Sequence, residues 1–460
     1  MKPELKLSDL IGKRVHFIGI GGAGMSGLAR IALSHGIKVS GSDAKDSNIL
    51  VALRALGANV EVGHKSENVD GADLVVFSAA ISERNPERIR AVELGILQIT
   101  RATALALLMS EAKSIAVAGT HGKTTTSSML TIALQATGVD PSFAIGGTIT
   151  ASGSNAHRGT GEFFVAEADE SDGSFIAYHP FGAIITNIEH DHVDYFADEP
   201  AVIAVFTDFI STIAHDGFLV YCNDDKGSRN LGSSVSSTRT FSYGTSTDSD
   251  LVIDQITLLP LGSTARVYWQ GQAIGKLELN VPGHHNLLNA AAALTAGIIL
   301  EQSPSEMIDG LATFKGAGRR FELKGSVSGI RVIDDYGHHP TEIEATLTAA
   351  RRFAGDGKLI VLFQPHRYSR TKAFIDEFAR TLDLADEVIM LEIYAASEKP
   401  IDGVTSESIV QKMKHGRFIP NFMQAVDSAI SIAKPGDVII TLGAGDVSSL
   451  ASIIVQGLSN

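Results

Sequence analysis

The chain has 460 residues, 44% of them hydrophobic and 20% charged, a length and composition that suggest about three globular domains with real cores. A formal net charge of −14 excludes a general attraction for nucleic acid or anionic membranes, so any polyanion must be caught locally, by backbone amides and a few basic side chains. One cysteine, Cys222, excludes an intrachain disulfide; MKPELKLSDLIGKRV lacks a signal-peptide pattern, no apolar run is long enough to span a bilayer, and a cytoplasmic location is expected.

In chain order, RVHFIGI predicts a strand and AGMSGLARIALSHG a helix ending at Gly36, with KVSGSD, NVEVG and DLVVFSA as further strands. Strands alternating with helices predict a parallel sheet, and this unit closes near Ser110 after the helical TALALLMS. Gly19, Gly21, Gly22, Gly24 and Gly27 lie between the first strand and its helix. Glycines let the backbone approach a phosphate, and the helix start offers free N–H groups and a partial positive charge. Asp43, at the end of the second strand, stands where an acid meets a ribose hydroxyl in dinucleotide-binding folds. A tight turn without ligand would share the glycines, but strand, helix and acid together favour a nucleotide diphosphate.

A second unit opens at KSIAVAGTHGKTTT. The amides of Gly119, Thr120, His121, Gly122, Lys123, Thr124 and Thr125 can wrap a triphosphate. Lys123 would neutralise β- and γ-phosphate oxygens as a point charge, and the Thr124 hydroxyl is placed for Mg²⁺. The full pattern would have glycine at Val117, so this is a shortened phosphate loop. Threonine capping of an ordinary helix does not explain the lysine, which is expected to be an exposed loop residue.

EFFVAEAD, GAIITNI and GFLVYCN predict the next strands. Two of them lead into polar clusters: Glu167, Asp169, Glu170 and Asp172, then Asn187, Glu189, Asp191 and His192. Ligands gather beyond the carboxyl ends of parallel strands, and Mg²⁺ takes oxygen ligands while keeping several waters. Glu167 and His192 are therefore the metal candidates beside Thr124, while Asp172 and Asp191 read as solvated loop acids. LVIDQITLL, TARVYWQ and GKLELNV predict antiparallel ribbons, NLLNAAAALTAGIIL a closing helix and FKGAGRRFE a linker. Beyond it IRVIDDYG, KLIVLFQ, DEVIMLEIY and DVIITLGAG again alternate with helices. Three α/β domains are expected, at 1–110, 111–318 and 319–460. Two nucleotide sites in one chain suit a ligase, which activates one substrate with ATP and holds that substrate by another nucleotide. A dehydrogenase would leave the second turn unused, and a non-catalytic switch would leave the C-terminal arginines and histidines unexplained.

GIGGAGMSG, GSD, AGTHGKTTT, EADESD, TNIEHDHVDY, GRRFE, DDYGHHPTEI, FQPHRYSRT and IYAASEKPI together resemble the Mur ligases, from about Val15 to Gly445. The phosphate loop is shared more widely, with folylpolyglutamate synthases among others. DDYGHHPTEI with QPHRYSRT is narrower and is similar to the branch that joins L-alanine to UDP-N-acetylmuramate; the branch that attaches a recycled tripeptide to the same nucleotide is the nearest rival. The resemblance implies a Rossmann-like N-terminal domain, a central domain like a P-loop ATPase with extra antiparallel strands, and a Rossmann-like C-terminal domain. It implies ATP and Mg²⁺ as cofactors and UDP-N-acetylmuramate and L-alanine as partners, with neither nucleic acid nor membrane insertion. Oligomeric state has no signature here.

By the same resemblance, Gly19, Gly21, Gly22, Ala23, Gly24, Met25, Ser26 and Asp43 hold the UDP part of the substrate. Lys123 binds ATP phosphates, Thr124 and Glu167 hold one Mg²⁺, and His192 holds a second. Asn286, Asn289 and Arg320 contact the nucleotide. Tyr336, His338, Arg367 and Arg370 form the amino-acid end, with His338 as base or orienter and either arginine as carboxylate clamp. On their residues alone, the two arginines read as a solvated surface pair. Two departures stand out: His284 occupies a position where the family usually has arginine, and no lysine follows the DH motif to form the carbamate found in several relatives.

Overall fold

The computed structural model describes residues 5–78 and 80–459. The chain divides into two compact units. One contains the chain up to Ile188 with Ile203–Tyr243 and Ala292–Gly310; the other contains Glu189–Val202, Gly244–Ala291 and the chain from Leu311 onward.

In the first unit, β1 (Arg14–Ile18), β2 (Lys38–Asp43), β3 (Asn59–Val62), β4 (Leu74–Phe77) and β5 (Leu97–Thr100) form a sheet in the order β3-β2-β1-β4-β5. Every pairing is parallel. The chain crosses to opposite sides of β1 to lay down β2 and β4, so the carboxyl end of β1 is a topological switch point, where open α/β sheets bind ligands. The glycine turn follows β1 there. β5 was not expected: LQIT is a short, half-exposed edge with no apolar run to announce it.

The same unit holds β6 (Lys113–Ala118), β7 (Ser142–Ile149), β8 (Ser154–His157), β9 (Phe163–Glu167), β10 (Gly182–Ile185), β11 (Phe218–Cys222) and β12 (Arg239–Gly244), ordered β8-β7-β9-β6-β10-β11-β12. β6 lies between β9 and β10, parallel to both. After its first residue KSIAVA is buried throughout, as a strand covered on both faces by helices must be. This placement brings the carboxyl ends of β6, β9 and β10 together, and with them the phosphate loop and the residues after Glu167 and Ile185.

The second unit contains the expected ribbon, β13 (Leu251–Leu259), β14 (Gly262–Trp269) and β15 (Gln272–Leu279), paired antiparallel in sequence. Its main sheet comprises β16 (Glu322–Val327), β17 (Ile330–Asp335), β18 (Leu359–Phe363), β19 (Glu387–Met390), β20 (Gly416–Phe418) and β21 (Val438–Leu442), in the order β16-β17-β21-β18-β19-β20. All pairings are parallel except the β16–β17 hairpin. Alternate residues of β18 feed two cores: Leu359, Val361 and Phe363 pack on one side, Ile360 and Leu362 on the other. Among the described residues no helix is long and apolar enough to cross a membrane.

Candidate active site

The first glycine turn is braced from below. Gly19 and Ile20 donate their amides to the Ser42 carbonyl at 2.8 and 3.0 Å. Gly21 donates to Asp43 Oδ2 at 2.9 Å. A Cβ on Gly21 would sit 2.8 Å from Leu50 Cδ1 and 2.9 Å from that carboxylate oxygen, so a side chain there would push Leu50 and Asp43 aside. Asp43 therefore shapes the turn, a role beyond the ribose contact expected of it. The helix Ala23–Ser34 follows with Gly22 as its N-cap and no side chain capping it, leaving first-turn amides for a ligand. Gly19, Gly22, Ala23, Gly24 and Met25 line a cavity of about 290 Å³ that Glu167 and Asp169 also border. The first turn and one metal candidate thus share a cavity.

The phosphate loop is held by the strand beside it. Gly119, at φ +130°, abuts Thr186 so closely that no side chain fits. Thr120 donates its amide to the Asn187 carbonyl at 3.0 Å. The Asn187 side chain accepts from the His121 amide at 2.8 Å and donates to the His121 carbonyl at 3.0 Å. Gly122, left-handed at φ 83°, turns the chain into the helix Lys123–Ala136.

Lys123 is not the exposed loop residue expected. Its side chain is 13% exposed, with Nζ 2.8 Å from Glu170 Oε2, and it donates to the Gly119 and Thr120 carbonyls at 2.6 and 3.1 Å. Burial alone would lower its pKa; the Glu170 carboxylate outweighs that and holds it above the ordinary value, so the ammonium stays charged. Thr124 Oγ1 donates to Glu167 Oε2 at 3.0 Å, and the Gly146 amide donates to the same oxygen at 2.8 Å. A hydroxyl and a carboxylate this close, both hard oxygen donors, fit Mg²⁺.

The remaining candidates belong to the second unit. Asp191 is not solvated: it is buried and forked by Arg370, whose Nε and Nη2 donate to Oδ1 and Oδ2 at 2.9 and 3.1 Å. Burial alone would raise its pKa, but Arg370, then His192, outweigh that and hold the carboxyl well below the usual range. Asp191 also accepts the His192 amide at 2.7 Å, bracing a backbone that His192 takes at φ 51°. The reading of the arginines as a surface pair fails with Arg370, which is 3% exposed. Arg367 precedes the helix Tyr368–Ala373 at φ 72° and pairs with Asp194.

His338 Nδ1 lies 3.1 Å from the Tyr336 carbonyl and 3.2 Å from Glu342 Oε2. With oxygens on both sides Nδ1 must carry the proton, which leaves the Nε2 lone pair available. Burial, partly offset by Glu342, pushes the His338 pKa down to about 3, so the ring is neutral near pH 7 and a weak base. Glu342 also sits 3.6 Å from Arg320 and accepts the His338 and His339 amides at 3.0 and 3.3 Å, as a capping-box residue three positions into its helix does. Arg319 and Arg320 flank the Tyr336 ring at 4.8 and 5.0 Å. Asn286 and Asn289 are buried near the start of the helix His284–Ile299. Asn286 donates to the Pro282 carbonyl at 2.7 Å and Asn289 to Asn286 at 3.4 Å; His284 is exposed.

The first unit therefore holds the glycine turn, Asp43, Gly119 to Thr125 and Glu167, and the second holds His192, Asn286, Asn289, Arg320, Tyr336, His338, Arg367 and Arg370. Sequence reasoning gave no role to Asn187, Asp194 or Glu342, and did not single out Glu170. Glu342 alone had a local signal, its capping-box position after Pro340.

Three family descriptions match the chain in order: "Mur ligase family, catalytic domain" over residues 14–113, "Mur ligase middle domain" over 117–297 and "Mur ligase, glutamate ligase domain" over 319–445. The UDP-N-acetylmuramate–L-alanine ligase of Paenarthrobacter aurescens is 48% identical over 448 residues, 97% of each chain. The solved UDP-N-acetylmuramate–alanine ligase of Thermotoga maritima is 29% identical, with a TM-score of 0.82 over 96% of this chain and 98% of that one. A murein peptide ligase from Psychrobacter arcticus is 26% identical, with a TM-score of 0.73 over 98% and 99%. With a phosphate loop, an oxygen pair beside it and relatives this close along nearly its whole length, the chain belongs to the Mur ligase family.

Proposed function

We propose that this protein joins L-alanine to the lactyl carboxylate of UDP-N-acetylmuramate at the expense of ATP, a cytoplasmic step in making peptidoglycan precursors. The observation that carries the reading is the charged, oxygen-held Lys123 at the mouth of its helix, beside the Thr124–Glu167 pair. The 48% identity to an alanine-adding ligase over nearly the whole chain, and a TM-score of 0.82 to a solved alanine ligase against 0.73 to a murein peptide ligase, support alanine over a recycled tripeptide as the incoming amine.

The carboxylate attacks the γ-phosphorus of ATP, giving an acyl phosphate and ADP. The alanine amine then attacks the acyl carbon, loses a proton, and expels phosphate as the amide forms. Both first reactants are anions, so the attack needs their charge neutralised in place. Lys123 and the first-turn amides of Lys123, Thr124 and Thr125 bind and orient the triphosphate, while the Thr120 and His121 amides, donated to Asn187, hold the loop in shape. Thr124 and Glu167 would hold Mg²⁺, with His192 a ligand for a second ion; the metal supplies charge neutralisation on the phosphate oxygens. The glycine turn and Asp43 hold the UDP end, while Asn286, Asn289 and Arg320 contact the ATP nucleoside. Tyr336, His338 and Arg367 receive alanine: Arg367 pairs with its carboxylate, and His338 Nε2 orients the amine. Arg370, spent on Asp191, keeps the His192 loop in place instead of clamping substrate.

The test is to incubate the protein with ATP, Mg²⁺ and UDP-N-acetylmuramate plus either L-alanine or the tripeptide, following phosphate and product mass. Release that requires the muramyl nucleotide and L-alanine, with a product heavier by one alanyl residue, supports the reading. Release without either substrate identifies a bare ATPase, and turnover only with tripeptide identifies the recycling enzyme.

A further inference from the structure

We propose that Arg101 is a substrate-binding residue whose guanidinium grips the diphosphate of the UDP-sugar over the glycine turn, an assignment that rests on this unit taking UDP-N-acetylmuramate. Arg101 opens the helix Arg101–Met109 directly after β5, with the Thr100 hydroxyl capping the Thr103 amide at 3.2 Å. β5 and β1 run parallel within one sheet, so Arg101 starts at the same carboxyl-terminal edge from which the glycine turn departs. Its side chain reaches that turn: a Cβ on Gly24 would lie 3.2 Å from Arg101 Nη1 and 3.3 Å from Cδ.

The charge around it is one-sided. The cavity is lined by Gly19, Gly22, Ala23, Gly24 and Arg101 together with Glu167 and Asp169, and Arg101 is the one cationic side chain among the described lining residues. A diphosphate entering beside two carboxylates needs a cation, because the helix start contributes only about half a charge. The protein's net charge of −14 supplies no background attraction.

The guanidinium also keeps its N–H donors unspent, with one long ion pair beside it. Arg14, in the same sheet, spends its N–H groups on Ser40 Oγ at 3.0 Å and on the Asp70 and Asn68 carbonyls at 2.6 and 2.8 Å. Arg101, whose side chain is 24% exposed, makes no hydrogen bond among the described residues, and its nearest anion is Asp169 at 3.9 Å. A planar fork of five donors facing a cavity over a phosphate-type turn has the geometry for two oxygens of a diphosphate. Lysine at this position would keep the charge and lose the fork.

The test uses full-length wild type, Arg101→Ala and Arg101→Lys. Calorimetric titration with UDP-N-acetylmuramate and with UDP, without ATP or alanine, should show Arg101→Ala weakening both by about ten- to hundredfold, the worth of one or two hydrogen bonds to a charged group, and Arg101→Lys recovering part of the loss. In turnover, the KM for the muramyl nucleotide should rise far more than the KM for ATP. Unchanged affinity for both ligands in Arg101→Ala overturns the assignment alone, as does an equal rise in the KM for ATP, which marks a merely structural role. Wild type that binds neither ligand overturns the functional reading with it.

Discussion

At Lys123 the ammonium is already bound to oxygen, between two loop carbonyls and the buried Glu170 carboxylate. Lys123→Ala should abolish ligation and also destabilise the fold by about 3 kcal/mol, because it strips the cation from a buried acid. Adding Glu170→Gln should restore most of the stability and none of the activity; denaturant unfolding beside a product assay checks both, and ligation by either variant would refute the role given to Lys123. Arg370→Ala should cost about 3–5 kcal/mol, since it leaves Asp191 as a buried charge without its fork; a loss below about 1 kcal/mol would show the pair to be incidental. Arg367→Ala should chiefly raise the KM for L-alanine, and an unaltered KM would remove it from the amino-acid site. The Thr124–Glu167 contact was legible because a phosphate loop has fixed spacing and the acid ends the neighbouring strand. The Asp191–Arg370 pair was not, because 179 residues separate its partners and each alone looks like a surface charge.

Elements read well where they are covered on both faces. RVHFI, KSIAVA, FFVAE and LIVLF are nearly continuous apolar runs because parallel strands are packed from above and below. Most strands missed are edges or interrupted: β5 and β20 are short and half exposed, β16 is mostly exposed, β8 is a four-residue edge, and β7 carries two glycines where Glu167 approaches it; β12, beside β11, was missed because RTFSYG has no apolar run. The helix Pro86–Glu93 shows packing that no periodicity announced. Its Glu87 is buried, taking hydrogen bonds from Ser42 at 2.6 Å and Asn68 at 2.5 Å, with His64 at 3.4 Å. Burial alone would raise its pKa, but His16, Ser42 and Asn68 outweigh this and hold it below its usual 4.5. A depressed folded-state pKa gives stability that is present above the unfolded value and lost as pH falls through the folded one. The stability advantage of wild type over Glu87→Gln should therefore be fully present above the usual carboxyl value of 4.5 and shrink as pH falls below it. Thermal unfolding across that range measures it, and an advantage that grows on acidification would mean that Glu87 is protonated in the native state.

For the whole molecule, the order of domains along the chain carries the reading: the stretch with the glycine turn, the stretch with the phosphate loop and acidic strand ends, and the stretch with the histidines and arginines beyond residue 330 match the three Mur ligase domains in turn. With a net charge of −14, the protein offers its proposed anionic substrates no general attraction, so Lys123 in the phosphate loop and Arg101 over the glycine turn are expected to act by local geometry. What this arrangement must accomplish is the transfer of one carboxylate oxygen to phosphorus. The most direct measurement supplies UDP-N-acetylmuramate labelled with heavy oxygen in its lactyl carboxylate, with ATP, Mg²⁺ and L-alanine, and weighs the inorganic phosphate released. An acyl phosphate route places a single labelled oxygen in each phosphate formed per amide made; amide formation with unlabelled phosphate would contradict it.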